Sequence, residues 1–403
     1  MRKAARSDFL LFIVVFFLII FGVIMVFSAS YYGTITQDEG PYAYLIRSSA
    51  WGLVGIALFV GLRFFPYRFY YYAAPVALGI GIILLLLLFT PLGAEHSGEV
   101  RRWLKIGPIT LMPGELIKIF LIFFVAAFYT KYAHRVRSFT KGFMPIFALA
   151  GVCAVLILKQ PNLSTAVIVF MLVLCMIYFA GGNFMHILLT IIIGVAGAAV
   201  MLLSNPNSYQ LKRITGYWRP FEDAQGDFYQ LVQSLLALGS GGVTGVGAGK
   251  SVQKALYLPE AQNDFIFAIF GEEYGFIGCV LLMMVFLVLI WRCAIVSINA
   301  PDRFGMLLSS GITVMLALQV IINIGVVTGV LPPTGVTLPF ISYGGNAMLL
   351  FAGSMGIVMN ISYKTSKIDE YFDDDEISDK KKEKKKRRIR QKEDEMLEKV
   401  KAM

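Results

Sequence analysis

The sequence has little charge. Only 15% of its 403 residues are Asp, Glu, Lys or Arg, against about 25% in ordinary soluble domains. Hydrophobic residues make up 57% and aromatic residues 14%. This imbalance excludes an ordinary soluble globular protein and predicts a multi-pass membrane protein.

Cysteine is also scarce, and the chain lacks a nucleotide-binding loop. Cys153, Cys175, Cys279 and Cys293 all lie inside apolar runs without metal-ligand spacing, so we expect buried free thiols. Gly249-Lys250-Ser251 resembles the end of a phosphate loop, but Thr244 stands where that motif needs glycine and no strand precedes it. The basic C-terminal run has no interleaved aromatic residues, which argues against nucleic-acid binding.

Long apolar windows predict the fold class. About 20 apolar residues span the hydrocarbon core as a helix, and ten such windows predict an all-α polytopic membrane protein with about ten transmembrane helices. A large extracytoplasmic loop separates helices 7 and 8. The windows are 9–29, 46–64, 70–91, 112–131, 143–159, 162–180, 185–204, 264–292, 304–330 and 341–362. Two regions follow, a transmembrane domain over 1–363 and a charged tail over 364–403.

Basic residues predict the orientation, because cytoplasmic loops carry an excess of Lys and Arg. We therefore expect both termini in the cytoplasm and the first apolar segment to be retained as a span, since it is longer than a signal-peptide core. The residues that carry this bias are Arg2, Lys3, Arg6, Arg63, Arg68, Lys131, Arg135, Arg137 and Lys141.

The tail holds 14 basic and 12 acidic residues, so most of the chain's net charge of +10 belongs to the membrane part. Such a composition predicts a solvated cytoplasmic segment and not a packed domain. Binding of anionic lipid or of a partner by its basic block is the alternative.

Cations on the predicted outer side oppose the usual bias. Arg101, Arg102 and Lys105 lie in the loop after the third span, where they suit an anionic ligand such as a phosphate. The equally weighted alternative is pairing with Glu95, Glu99 or lipid head groups. Further Arg and aromatic residues, including Arg213, lie in the long loop over 205–263, whose length suggests function.

Ionisable residues also enter the fourth span. Glu115 and Lys118 share a helix face, where they either form an intrahelical pair or line a functional cavity, and we favour the cavity. Prolines and glycines over 329–345, a segment that includes Ser342, predict irregular backbone that is buried or lines a wet cavity.

An acidic cluster opens directly into the eighth span. An uncompensated carboxylate near hydrocarbon costs several kcal/mol, so Asp264 is the first candidate for chemistry. The alternative is a helix N-cap, since Asp is favoured there. For Glu272 and Glu273, packing or pairing is as plausible as a direct role.

These segments together resemble the SEDS family of bacterial shape, elongation, division and sporulation proteins, typified by FtsW, RodA and SpoVE. The resemblance covers about residues 9–362, and within the family the division type is nearest in length and tail. The motifs are Arg102-Trp-Leu-Lys-Ile-Gly107, Pro113-Gly-Glu-Leu-Ile-Lys118, Gln160-Pro-Asn-Leu-Ser-Thr165, the glycine run over 239–249 with Leu258-Pro-Glu260, Asp264-Phe-Ile-Phe, Gly271-Glu-Glu-Tyr-Gly-Phe-Ile-Gly278, and Pro332-Pro-Thr-Gly335 through Ser342-Tyr-Gly-Gly345.

The resemblance implies a peptidoglycan glycosyltransferase of the cytoplasmic membrane. It would polymerise lipid II at the division septum beside a class B penicillin-binding protein and other divisome membrane proteins. Asp264 carries over as the catalytic residue, with Asn162 and Gly114 standing where the family often has Asp and Ser. The expected substrate-binding set is Arg101, Arg102, Lys105, Glu115, Lys118, Arg213, Glu272 and Ser342.

A divalent cation, Mg2+ or Mn2+, could accompany the pyrophosphate, with Glu115 or Glu272 as candidate ligands. The rival functions are a flippase for the lipid-linked precursor and a scaffold without activity. Ionisable residues concentrate at the outer ends of the spans and no inverted repeat is evident, which favours polymerisation over transport.

Overall fold

The computed structural model describes residues 8–36, 40–96, 100–107, 109–160, 162–204, 217–223, 225–226, 228–255 and 257–365. In chain order its elements are α1 (Phe9–Thr36), α2 (Ala43–Phe64), α3 (Phe69–Leu87), β1 (Gly93–His96), β2 (Val100–Ile106), β3 (Ile109–Leu111), α4 (Pro113–Lys131), α5 (Met144–Leu158), α6 (Leu163–Phe179), α7 (Phe184–Ser204), α8 (Tyr229–Gly241), α9 (Ile266–Ile298), α10 (Arg303–Val327) and α11 (Gly345–Thr365).

The all-α polytopic architecture is confirmed. Within the described residues, eight helices are long and apolar enough to cross a membrane, and two further apolar helices, Leu163–Phe179 and the Phe184–Gly194 part of α7, are shorter. Together these ten correspond to the ten predicted spans. Arg213 and residues 366–403 of the predicted tail lie outside the described residues.

Polar residues define where several helices begin. Asp8 accepts a hydrogen bond from Leu11 N at 3.1 Å, and Asp302 accepts one from Gly305 N at 2.7 Å, so both act as N-caps. Asn162 caps α6 in the same way through Thr165 N. The amide at this position therefore has a structural role.

Three helices form the centre of the bundle. α11 is buried over most of its length, followed by α4 and α10, whereas α2 and α3 are mostly exposed. Large apolar side chains such as Leu53, Phe64 and Tyr72 on these outer helices are exposed. That exposure suits contact with lipid tails, which solvate apolar side chains as well as a protein core does.

Both ends of the described chain lie on one face of the bundle. Asp8 Oδ2 pairs with Arg292 Nη2 at 2.6 Å, and Asp8 N donates to Ser362 Oγ at 3.2 Å. On the same face, Asn360 joins the α2–α3 turn by donating to Arg63 O at 2.6 Å and accepting from Tyr67 N at 3.0 Å. The assignment of this face to the cytoplasm stays a prediction.

A small antiparallel sheet, which the sequence analysis did not predict, follows α3. Its strand order is β1-β2-β3, with Ala94 opposite Trp103 and Leu104 opposite Leu111. Asn346 Nδ2 at the start of α11 donates to Thr110 O at 3.1 Å and so connects the sheet to the bundle. The sheet therefore holds β2, which carries Arg102, against the helix ends.

Helix α9 is interrupted, and the part of the glycine run that follows α8, residues 242–249, pairs with the interruption. Gly275 has φ 66° and ψ −168°, which breaks the helix. Val246 N and Gly247 N donate to the carbonyls of residues 272 and 273, and the N–H groups of residues 276 and 277 donate back to residues 242 and 243. A Cβ at Gly245 would lie 2.2 Å from Glu273 O. The glycine run therefore approaches the backbone of α9 closely.

Candidate active site

Asp264 ends the loop that leads into α9. The first residue of α9 is Ile266, its N-cap is Phe265, and no side chain caps it. The capping alternative for Asp264 is therefore wrong. Its carboxylate instead faces the irregular segment after α10, because a Cβ placed on Gly335 would lie 3.2 Å from Asp264 Oδ2.

Arg102 reaches the same place from the sheet. The Cβ position of Gly335 is 3.9 Å from Arg102 Nη1, so a carboxylate, a guanidinium and a residue without a side chain meet at one point. Lys105 lies three residues further along β2 and is exposed, whereas the side chain of Arg101 lies outside the described atoms. The structure thus brings together Asp264 and Arg102 from the predicted set.

The surroundings raise the pKa of Asp264 from its usual 3.8 to about 6, mainly through burial of the carboxyl group. The positive charge of Arg102 lowers this pKa, while the nearby acids Glu260 and Glu115 raise it further. A carboxylate with a pKa near 6 is ionised at neutral pH and still takes up a proton readily. These are the properties of a general base.

Glu115 and Lys118 form a buried ion pair near the start of α4. Lys118 Nζ lies 2.7 Å from Glu115 Oε2 and 2.8 Å from Gln319 Oε1 on α10. Lys118 is 0% exposed. The intrahelical pair that the sequence allowed is therefore present, and Gln319 is a partner that sequence spacing did not indicate.

Glu272 holds the loop that precedes Asp264. Its carboxylate accepts hydrogen bonds from Ser251 Oγ, from Val252 N at 3.0 Å and from Gln253 N at 3.3 Å. The side chain is 1% exposed. These donors occupy the carboxylate that the sequence analysis assigned to substrate or metal.

Glu273 makes a second buried attachment of the same loop. Its Oε1 lies 2.6 Å from Lys254 Nζ and accepts a hydrogen bond from Ser28 Oγ of α1 at 2.8 Å. Lys254 also donates to Ser28 at 3.0 Å. The loop before Asp264 is thus connected to both α1 and α9.

Ser342 closes a turn in the segment before α11. Its Oγ accepts from Leu338 N at 2.8 Å, and its own N donates to Leu338 O at 3.0 Å. Inside this turn Phe340 has φ 66°, and a Cβ on Gly22 of α1 would lie 2.0 Å from Phe340 O. The buried, irregular backbone predicted here is confirmed, and in the structure Ser342 binds backbone.

Among the described residues, no group of three or more His, Cys, Asp or Glu side chains could hold a metal ion. All four cysteines are free, with Cys175 half-buried and the others buried. Asp264 and Arg102 supply a carboxylate that can transfer a proton and a cation that can bind a phosphate.

Comparison with known proteins identifies the family. The model of the family FtsW/RodA/SpoVE, described as a cell cycle protein, matches residues 8–367. The chain is 37% identical over 361 residues to stage V sporulation protein E of Bacillus subtilis, covering 89% of this chain and 98% of the relative. It is 37% identical over 351 residues to the probable peptidoglycan glycosyltransferase FtsW of Coxiella burnetii, covering 86% and 94%.

A solved structure agrees with this assignment. The fold matches a chain from a study of structural coordination of polymerization and crosslinking by a peptidoglycan synthase complex, with a TM-score of 0.72 and 25% identity, covering 89% of this chain and 98% of that chain. The region matched by the family model, residues 8–367, includes every described helix and the candidate site. The chain therefore belongs to the FtsW/RodA/SpoVE family of cell cycle proteins.

Proposed function

We propose that this chain is a peptidoglycan glycosyltransferase that polymerises lipid II into glycan strands at the outer face of the cytoplasmic membrane during cell division. Its relatives include proteins named as probable peptidoglycan glycosyltransferases. The observation that carries the proposal is the meeting of Asp264 and Arg102 at Gly335, on the face opposite the described chain ends.

In the proposed reaction Asp264 removes the proton from the 4-hydroxyl of an acceptor GlcNAc. The oxygen then forms a bond to the anomeric carbon of a donor MurNAc with inversion, and the bond from that carbon to the pyrophosphate oxygen breaks. Undecaprenyl pyrophosphate leaves with both electrons of that bond. A positioned base contributes about 10²–10⁴ in rate.

Arg102 would stabilise the departing pyrophosphate. A guanidinium can donate two parallel hydrogen bonds to phosphate oxygens, and a preorganised cation stabilises negative charge as it develops. Lys105 and Arg101 lie on the same strand, β2, and we propose them as further phosphate contacts. Lys118 is enclosed by Glu115 and Gln319, so we propose that it neutralises the charge of Glu115 near the site and does not bind the substrate.

Among the described residues, no site made by the protein alone fits a divalent cation. Glu115 and Glu272, the candidate ligands, already accept hydrogen bonds from protein donors. Mg2+ commonly binds one or two carboxylates together with substrate phosphates. We therefore propose that any Mg2+ or Mn2+ is held chiefly by the pyrophosphate, and the proton transfer above does not involve it.

The proposal also includes partners and location. We propose a class B penicillin-binding protein as the partner, supported by the fold match to a chain of a peptidoglycan synthase complex. Both termini would be cytoplasmic, because the basic loops lie on the face of the described chain ends. Other divisome membrane proteins would bring the chain to the septum.

The test is polymerisation by purified full-length protein with its penicillin-binding partner, lipid II and a divalent cation. Asp264→Ala should abolish glycan chains, whereas Asp302→Asn, on the opposite face, should retain them. Polymer formed by Asp264→Ala would remove the mechanism. Transbilayer movement of lipid II without any polymer would instead favour a flippase.

A further inference from the structure

Helix α10 carries two buried amides on one face. Gln319 and Asn323 are four residues apart, so they lie one above the other on the helix, and each is only 1% exposed. Gln319 accepts a hydrogen bond from Lys118 of α4. Asn323 contacts the segment that carries Asp264, so the same face of α10 connects both parts of the site.

Asn323 joins two backbone segments. Its Nδ2 donates to Asp264 O at 2.8 Å and to Val336 O at 2.6 Å. Both partners are carbonyl oxygens, which can only accept hydrogen bonds, so the nitrogen of the amide must face them. The amide therefore uses both of its N–H groups, and the orientation of the side chain follows from its partners.

The oxygen of the same amide is left without a partner. Asn323 Oδ1 is buried and has no hydrogen bond within the described part of the chain. A buried unsatisfied acceptor costs about 1–3 kcal/mol, whereas Leu or Met at this position would leave the carbonyls of Asp264 and Val336 without their side-chain donor. The contribution of this side chain therefore lies in its two hydrogen bonds to the backbone.

The two segments that Asn323 joins are those that meet at the site. Val336 directly follows Gly335, whose Cβ position lies 3.2 Å from Asp264 Oδ2. By holding both carbonyls, one side chain sets the distance between the Asp264 backbone and the Gly335 segment. That distance decides how much room remains between the carboxylate and Gly335.

We propose that Asn323 is a positioning residue for Asp264. It acts through the backbone of residue 264, keeps the carboxylate beside the space at Gly335, and does not touch the reacting atoms. The proposal rests on the proposed function, in which Asp264 is the general base. Misplacement of such a group by about 1 Å can lower the rate about 100-fold.

The test compares Asn323→Leu with Asn360→Leu. Asn360 is a matched control because it is also buried in a membrane helix and joins two backbone groups, Arg63 O and Tyr67 N, on the face opposite the site. Polymerisation rates are measured against lipid II concentration with the full-length protein and its partner, together with thermal unfolding of each variant.

Asn323→Leu should lower kcat about 30-fold or more with KM changed less than about twofold, because the base moves while the cations that bind the substrate stay in place. Asn360→Leu should change the melting temperature but not kcat. A purely structural Asn323 would instead give equal kcat for both variants, which would overturn the proposal.

A second variant protects the test against misfolding. If Asn323→Leu does not fold, Asn323→Ser is assayed in its place. Serine keeps one hydrogen-bond donor, so this variant should show an intermediate kcat, and a wild-type kcat would overturn the proposal. Asp264→Asn, assayed in parallel, keeps the two hypotheses apart. Activity in Asp264→Asn would refute the role of Asp264 as general base, whereas its loss together with full activity in Asn323→Leu would refute only the positioning role.

Discussion

Arg102 should set the pH at which the enzyme becomes active. The proposed base works only when Asp264 is ionised, so activity rises with pH through its pKa, which burial raises to about 6 and Arg102 lowers. Replacing Arg102 by Gln removes the lowering charge and keeps a polar side chain. The acid limb of the pH profile should therefore move to higher pH.

The distances give the size of this shift. Asp264 Oδ2 and Arg102 Nη1 lie 3.2 Å and 3.9 Å from one point, the Cβ position of Gly335. They are thus no more than about 7 Å apart, where Coulomb's law with an effective dielectric constant of about 20 gives roughly 2 kcal/mol. Both residues are half-buried, so with partial screening by solvent we expect a shift of about 1 to 1.5 pKa units.

The assay is kcat/KM for glycan polymerisation from pH 5 to 9, because this constant reports the pKa of the free enzyme. Each profile is normalised to its own plateau, which separates the shift from any loss of phosphate binding. For Arg102→Gln the midpoint should rise from about 6 to about 7–7.5. Lys105→Gln, which removes the same charge from the same strand, should keep the wild-type midpoint. A midpoint for Arg102→Gln that stays near 6 or falls would refute the reasoning.

Three other substitutions test the site and its support. The folded-state pKa of Asp264 lies above its usual 3.8, so ionisation opposes folding as pH rises through about 6. The melting temperature of Asp264→Asn should therefore exceed that of the wild type at pH 8 and equal it at pH 4. An equal difference in melting temperature at both pH values would contradict this. Gly335→Ala places a Cβ 3.2 Å from the Asp264 carboxylate and should lower kcat roughly tenfold. Gly344→Ala, whose new Cβ would lie 3.7 Å from its nearest neighbour, Ala347 Cβ, should retain the wild-type kcat. Equal rates in the two variants would show that the space at Gly335 is not needed. Lys118→Met leaves Glu115 buried without its cation and should destabilise the protein by roughly 3–5 kcal/mol in equilibrium unfolding. Adding Glu115→Gln should recover most of that loss. A double variant no more stable than Lys118→Met would contradict the energetic coupling of Glu115 and Lys118.

Local composition was enough to locate most helices. The predicted span over 112–131 became α4 at Pro113–Lys131, since hydropathy and a proline in the first turn are properties of neighbouring residues. The predicted span over 264–292 became α9 at Ile266–Ile298. Its start was close because the acidic cluster marks it, whereas its end lies six residues further because no strong breaker occurs there.

Contacts between distant residues could not be predicted in this way. The glycine run is paired with the break in α9 at Gly275, and neither segment alone shows the other as its partner. The acids after Asp264 illustrate the same limit. Glu272 and Glu273 stand next to each other in the chain, yet one binds the Ser251 hydroxyl and the N–H groups of residues 252 and 253, and the other binds Lys254 and Ser28.

The amino-acid sequence by itself determined that the chain is a helical membrane protein and that Asp264 is its principal candidate for chemistry, because burial of an acid beside an apolar run is costly wherever the chain folds. Only the tertiary structure decided which groups surround that acid. Arg102, Gly335 and Asn323 come from a strand, a loop and a helix far apart in sequence, and the pKa of a carboxyl group depends on its neighbours in space.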